Sequence, residues 1–456
     1  MRKHFDFYGY NGPTSGKYFV DGCEYFSGED FRNKKRFKEY KDIGFNILLL
    51  QHENSYSGEE FETSACNLCM TEAVKAGINR IIVSDTRLKD LCIEENLIGE
   101  NGKFKTEKEF LEYLDFCTAP YRNQKGFYGV QLFDEPLFEH LDNYGAVCKG
   151  LRKVIPNIYL QCNLNPPASL HVFKGRGKSI PESFEEYLRL YIEKSNEDNI
   201  LFDEYPFSRD YIIHGYGIRS YQIAARVCKE LGKEFRLVLQ SWAYMWGEIG
   251  KRAQISPRSL VKEDMYWQLN MLMGMGCKEY SFFTYFTKQN VSLIEKINLT
   301  VDGSSLVNRD GTRTKLYFIV QKIIKEMKNF ENVILKYSYD NNWFFFEQGK
   351  TYKDFMQTEL SEINNNCPIE VVPKKELAYV TRLTSEKSEM FMVQNIENLK
   401  TQYERKEPIE FAIDLKKPCK KVNVYFKGKK IKRKIINGKF TEKLYCGDAI
   451  FIEIIH

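Results

Sequence analysis

The residues with most chemistry to offer close two apolar runs. Phe127–Pro136 reads FYGVQLFDEP: large apolar residues alternate as in a buried strand, then stop at Asp134, Glu135 and Pro136. Ile200–Tyr205, ILFDEY, closes the same way on Asp203, Glu204 and Tyr205. A carboxylate at the end of a buried strand must be paired, hydrogen-bonded or protonated, because its charged form loses hydration. Pro136 has no N–H to give to a ladder and tends to stop the strand. Such carboxylates can do general acid/base work. The plain structural reading is that Asp134 caps the helix that follows.

Elements must bring these acids together. Eight apolar runs read as strands: Phe5–Tyr10, Phe45–Gln51, Arg80–Asp85, Phe127–Glu135, Ile158–Asn163, Ile200–Tyr205, Phe235–Gln240 and Glu279–Tyr285. Between them lie segments with helical apolar spacing, among them FRNKKRFKEYKDIG, ACNLCMTEAVKAG, FEEYLRLYIEKSN, IRSYQIAARVCKELG and EDMYWQLNMLMGMG. Gly44, Gly77, Gly232 and Gly276 stand where a left-handed cap would turn a helix into the next strand. This alternation is the pattern of an α/β fold, the (β/α)8 TIM barrel. No glycine-rich phosphate loop follows the first run, which counts against a doubly wound open sheet.

From about residue 331 the texture changes to short alternating runs such as LAYVTRL, SEMFMVQNI, IEFAIDL and AIFIEII. They read as an all-β sandwich. The expected domains are a catalytic barrel over 1–330 and a C-terminal β-sandwich over 331–456. The lysines of Lys416–Lys434 read as the solvated face and protected edges of a sheet.

In a barrel the C-terminal strand ends converge on one face. They supply Gln51, His52, Glu53 and Asp85, then Asp134 and Glu135, Asn163 and Asn165, Asp203, Glu204 and Tyr205, Gln240 and Trp242, Thr284 and Tyr285. Carboxylates, amides and aromatics dominate, which suits a neutral, hydroxyl-rich substrate. Amides and carboxylates hydrogen-bond sugar hydroxyls, and an indole or phenol face stacks on a pyranose ring. The chain has six histidines and neither an H-x-H nor an H-E-x-x-H spacing, so zinc chemistry is poorly supported. No lysine stands at a strand end for a Schiff base. We expect no metal and no cofactor.

The 456 residues are 43% hydrophobic, enough for a large core, and the net charge of +5 is too weak to argue for nucleic acid. Twelve cysteines are scattered, with only Cys66 and Cys69 spaced as C-x-x-C, which suits a reducing, cytoplasmic compartment. MRKHFDFYGYNGP has no apolar h-region, and no apolar run reaches the length of a membrane span.

With DEP ending the fourth strand, Gln240-Ser241-Trp242 ending the seventh, SFFTYF as the eighth and SSLVNRDGTRTKLY after it, the chain resembles barrel glycoside hydrolases. The likeness is to β-galactosidase-like members with a trailing β-sandwich. The resemblance implies an O-glycosidase acting on an oligosaccharide or glycoside, with Glu135 as general acid/base. It implies a nucleophilic glutamate where this chain has Gln240, and Glu248 lies further along that loop. Two repairs stand open. Asp203 or Glu204 could supply the second carboxylate. Alternatively, as in hexosaminidases that use their own acetamido group, Asp134 would orient that group, Glu135 would protonate the leaving oxygen, and Tyr205 or Tyr285 would bind the acetamido oxygen. Gln51, Asn163, Tyr205, Gln240, Trp242 and Tyr285 are the expected sugar contacts. A glycan-binding barrel without catalysis is the alternative, and the likeness allows a homo-oligomer.

Overall fold

The computed structural model describes residues 4–20, 22–207, 217–242, 260–287, 290–291, 305–346, 367–373, 378–397, 407–416 and 419–456. Its elements in order begin with β1 (Asp6–Gly9), β2 (Lys17–Val20), β3 (Cys23–Phe26), α1 (Lys34–Asp42), β4 (Leu48–Leu50), α2 (Ala65–Lys75) and β5 (Ile81–Ser84). There follow α3 (Thr86–Cys92), α4 (Glu107–Arg122), β6 (Phe127–Asp134), α5 (Leu141–Val154), β7 (Tyr159–Asn163), α6 (Leu170–Phe173), α7 (Ile180–Ser195) and β8 (Asn199–Glu204). Then come α8 (Gly217–Leu231), β9 (Glu234–Gln240), α9 (Lys262–Gly274), β10 (Glu279–Phe283), β11 (Asn290–Val291) and α10 (Lys315–Ile334).

Each of the eight apolar runs coincides with one parallel strand to within a few residues at its ends. They form two four-stranded sheets, β4-β5-β6-β7 and β1-β10-β9-β8. Backbone bonds link the sheets at both margins: Asn46 and Ile47 N–H donate to the Phe7 carbonyl at 2.9 and 3.3 Å, and Leu164 N–H to that of Leu201 at 2.9 Å. Helices start where side chains can satisfy their free N–H groups. Asn33, Ser64, Thr106 and Thr314 each accept from a first-turn amide, and Ser179 with Glu182 forms a capping box. Gly44, Gly77, Gly232 and Gly276 all have positive φ, as the turn into the next strand requires.

The period-2 alternation of each strand sorts its side chains. One set, including Tyr8, Ile47, Leu49, Ile82, Leu201 and Val238, packs inside the two sheets. The other, including Phe7, Leu50, Val83, Val130, Ile200, Phe202, Leu237 and Phe282, packs under the helices. Gly129 lies so close to β7 that a Cβ there would collide with the Tyr159 carbonyl.

At the N-terminal strand ends the interior is closed by charge. The Arg236 guanidinium bonds Glu279 at 3.1 Å and the Tyr159 hydroxyl, with side-chain exposures of 4% and 1% for the ion pair. Breaking a pair so enclosed strands one charge without water. Arg236→Met is therefore expected to cost about 3–5 kcal/mol, read as a fall in the urea midpoint. Replacing both partners with apolar residues should recover most of the loss, and an unchanged single variant would refute this account.

The C-terminal strands are β12 (Ser338–Phe346), β13 (Ile369–Pro373), β14 (Ala378–Thr384), β15 (Ser388–Asn395), β16 (Ile409–Leu415), β17 (Lys421–Phe426), β18 (Lys429–Ile431), β19 (Lys439–Leu444) and β20 (Ala449–Ile455). They make two antiparallel sheets, β12-β14-β15-β20-β17-β18 and β13-β16-β19, that share one core containing Val380, Phe391 and Ile452 from the first and Ile369, Phe411 and Phe440 from the second. The larger sheet docks on α8 and α9. Gln394 donates to the Trp267 carbonyl at 2.9 Å, Gln222 to the Tyr379 hydroxyl at 3.3 Å, and Met392 and Phe451 join the main core. Trp267, 1% exposed, is thus packing rather than a sugar platform.

Candidate active site

The C-terminal ends of the parallel strands surround a cleft of about 460 Å³, lined among others by Gln51, His52, Glu53, Asp134, Glu135, Asn163, Asp203, Tyr205, Trp242 and Phe283. Two local irregularities on β6 aim its acids there. The β6–β7 register slips between Gln131 and Phe133, so that Gln131 faces Gln161 and Asp134 faces Asn163. A bulge of this kind inserts one residue and reverses the side to which the following residues point. Without it, Asp134 would turn toward the helices. Glu135 then adopts φ 55°, a left-handed conformation unusual for a non-glycine residue, while its N–H bonds the Asn163 carbonyl at 2.7 Å. Asn11 and His52, also on the cleft, share positive φ. Strain of this sort costs of order 1–3 kcal/mol per residue and persists only where the surroundings enforce it.

Asn163 organises the acids. Its Nδ2 donates to Asp134 at 3.0 Å and to Asp203 at 3.0 Å, so one amide holds carboxylates from two strands. Asp134 caps no helix: the next helical turn starts beyond Leu137. The Glu135 carboxylate has no hydrogen bond to another side chain among the described residues. Asp134 and Glu135 open onto the cleft and are exposed there, yet protein surrounds them otherwise, and burial is the largest influence on each. Burial, reinforced by the charge of Asp134, raises the Glu135 carboxyl to about 7. Burial also raises Asp134, against the pull of Asn163, Lys89 and His52. Asp203, 6% exposed, is pushed well up by burial and then by Glu135. Each of the three therefore holds its proton more tightly than a free carboxyl, chiefly because burial disfavours the charged form.

A carboxyl raised to about 7 is protonated below that value and loses its proton as pH rises through it. Asp134→Asn removes the second cause of the shift, so Glu135 should release its proton at lower pH in that variant, as NMR titration of the carboxyl reads. A midpoint that stays in place would remove Asp134 from the electrostatics of Glu135.

Several expected contacts are placed elsewhere. Glu204 follows the alternation of Ile200 and Phe202, outward from the interior. It is 3% exposed, accepts from the Ser220 hydroxyl at 3.2 Å, and is raised to about 8 by burial and then by Asp203. The structure does not bring it to the cleft. Gln240 is fully buried, and its side chain serves the backbone: it accepts from Phe207 N–H at 2.8 Å and donates to the Phe207 and Trp242 carbonyls at 2.9 and 3.2 Å. It ties two loops together and has no surface for a sugar. Tyr285, 1% exposed, packs against Tyr40 and Phe45. Asp85 caps α3 and binds Arg87 and Tyr121. Asn165 donates to the Pro136 carbonyl. Glu248 lies outside the described residues.

Gln51, Asn163, Tyr205 and Trp242 do line the cleft. Gln51 donates to Gln131 at 2.8 Å. Phe283 forms an aromatic corner with Tyr205, stacked at 5.6 Å, and Trp242, edge-on at 5.2 Å. The sequence reading missed Tyr10, Asn11, Thr14, Lys17, Phe19 and Phe283. Asp21-Gly22, a two-residue turn signal between the aromatic runs KYFV and CEYF, could have marked the hairpin that carries Lys17 and Phe19. All twelve cysteines are free, and burial raises the thiols of Cys66 and Cys69 far from any reactive range. Among the described residues no helix is long and apolar enough to cross a membrane, and no three His, Cys, Asp or Glu side chains group as a metal site.

This architecture is shared with a glycoside hydrolase of family 5 from Bacteroides vulgatus: TM-score 0.52 at 10% identity, over 99% of this chain and 88% of that one. An α-amylase from Anoxybacillus aligns with TM-score 0.48 at 10% identity, over 92% of this chain and 89% of its own. Xyn30A, a family 30 subfamily 8 xylanase from Clostridium acetobutylicum, gives 0.42 at 12% identity, over 100% and 96%. At these identities the likeness is one of fold. No family model matches the chain, and no curated protein matches it by sequence.

Proposed function

We propose that the chain is a glycoside hydrolase whose two parallel sheets close into a (β/α)8 barrel over residues 1–330, followed by a β-sandwich over 331–456. The backbone bonds at both sheet margins support closure, and the core common to the two antiparallel sheets supports the sandwich. One observation carries the function: Glu135, raised to about 7, shares a cleft with Asp134 and Asp203, which a single asparagine holds together. Carboxyl groups with displaced proton affinities in one cleft are what acid/base cleavage of a glycosidic bond needs.

In this reading the protonated Glu135 gives its proton to the glycosidic oxygen as the bond from the anomeric carbon to that oxygen breaks. Positive charge develops on the sugar ring. Asp203 supplies the opposing carboxylate, as nucleophile or as base for water, in the state that leaves the proton on Glu135, and Asn163 bonds both it and Asp134. Tyr205, Trp242 and Phe283 offer ring faces and edges to the sugar, while Gln51 and Asn163 offer amides to its hydroxyls. A second reading keeps Glu135 as acid and lets an N-acetyl group of the substrate act as nucleophile. The presence of both Asp134 and Tyr205 on the cleft favours it. Twelve free thiols suit a reducing, cytoplasmic setting.

A panel of nitrophenyl glycosides that includes N-acetylhexosaminides tests the reading. Cleavage by the wild-type chain is expected, and NMR of the first-formed anomer separates retention from inversion. A preference confined to N-acetylhexosaminides would select the substrate-assisted route. No cleavage of any glycoside, natural oligosaccharides included, would leave a glycan-binding barrel.

A further inference from the structure

The β2–β3 hairpin overhangs the cleft and is not accounted for by the catalytic residues. Its register sets Lys17 opposite Phe26 and Phe19 opposite Glu24. Directly opposed residues of an antiparallel pair share a face, so Lys17, Phe19, Glu24 and Phe26 stand together. Lys17 and Phe19 line the same cleft as Glu135 and Asp203. On this face Lys17 Nζ lies 3.1 Å from Glu24, while Phe19 and Phe26, diagonal neighbours, are 38% and 58% exposed. The exposed large aromatics among the described residues are Phe19, Tyr25, Phe26, Phe116, Phe318 and Tyr445, and three of these belong to this one hairpin.

The hairpin is held rather than loose. On its other face Tyr18 and Tyr25 stack at 5.3 Å, with the Arg309 guanidinium 5.6 Å above Tyr18. At its base, Glu53 accepts from Ser15 N–H at 2.8 Å and from the Ser15 hydroxyl at 2.5 Å. Gly16, with φ 75°, lies so near Glu29 that a Cβ would strike its carbonyl oxygen, and Ser27 N–H bonds the Gly16 carbonyl at 2.9 Å.

We propose that this face is a sugar platform that binds a ring beyond the one being cleaved, so that the preferred substrate is an oligosaccharide rather than a single sugar on a small aglycone. The proposal rests on the glycosidase reading for the word substrate, and on geometry for the platform. A pyranose presents C–H groups on its faces and hydroxyls at its rim. Phenylalanine rings receive the former, and the neighbouring Lys17–Glu24 pair offers a donor and an acceptor to the latter. Continuity of the platform with the carboxylate cleft argues for a glycan there rather than a protein partner.

The probes are cello-, xylo- and chito-oligosaccharides of one to six units, titrated calorimetrically into Glu135→Gln so that bound sugar stays intact. Affinity for at least one series should rise about tenfold or more on adding the second or third unit. In Glu135→Gln/Phe19→Ala that gain should vanish, and Phe26→Ala should reduce it, whereas Phe116→Ala, an exposed aromatic elsewhere, should preserve it. Both phenylalanines are exposed, so these variants should fold normally, as circular dichroism checks. Length-independent affinity, absence of binding throughout, or a gain that survives Phe19→Ala overturns the proposal. So does a wild-type dimer that Phe19→Ala converts to monomer, since the face would then meet a second copy. Phe19-dependent binding of an oligosaccharide that the wild type never cleaves would defeat the glycosidase reading and leave the platform standing.

Discussion

Glu135→Gln is expected to lower kcat/KM by roughly 10²–10⁴ on glycosides with poor leaving groups, about 3–5 kcal/mol of transition-state stabilisation. Glutamine matches the size of the carboxylic acid but has no proton to give at this step. The loss should shrink on nitrophenyl glycosides, whose leaving group departs without protonation. The alkaline limb near the Glu135 value of about 7 should disappear with the side chain that causes it. This pH signature distinguishes lost chemistry from damaged folding, because a merely structural defect would lower the whole profile without changing its shape. Activity on natural linkages equal to wild type would end the assignment.

Asp203→Asn should be at least as damaging, roughly 10³-fold or more in kcat. Asp203 is the carboxylate of β8 that faces the cleft, and no other described acid stands on that strand's inner side. Asparagine keeps the shape and can still meet Asn163, so binding should change less than turnover. If Asp203 is the nucleophile, azide should restore cleavage of an activated glycoside and give a glycosyl azide of inverted configuration. If it is a base for water, azide would give the same inverted azide, and the configuration of the wild-type product, retained or inverted, separates the two roles. Under the substrate-assisted route Asp203→Asn should leave N-acetylhexosaminide cleavage within about tenfold of wild type, and Asp134→Asn should carry the larger loss. Glu204→Gln serves as the comparison. It lies on the same strand one residue away and points outward, so turnover should persist.

The positions of the parallel strands were legible because each is a short apolar run beside segments of helical spacing, and four of them follow a capping glycine. The acid pairs were legible too, as charges that end a buried run. Which member of a pair faces the cleft was harder to read. On β8 simple alternation decides, and Asp203 follows Leu201 inward while Glu204 follows Phe202 outward. On β6 alternation alone would have misplaced Asp134, because the bulge after Gln131 reverses the sides. A bulge depends on pairing with β7, and pairing is not written in either strand alone.

Gln240 makes the same point from the other direction. Its type and its place at a strand end fitted a sugar contact, yet the Phe207 and Trp242 backbone groups take its amide completely. Their partner is set by how two loops pack. Tyr285 likewise met Tyr40 and Phe45 rather than the cleft.

The sequence by itself determined the local order of strand and helix, the stock of carboxylates and aromatics, and the thiol content, since these follow from composition and period along the chain. The tertiary structure decided which acids meet in the cleft, which amide joins them, and that a hairpin after the first strand walls it. Those outcomes depend on register and on contacts between distant segments, where a slip of one residue moves a side chain from one face of a sheet to the other.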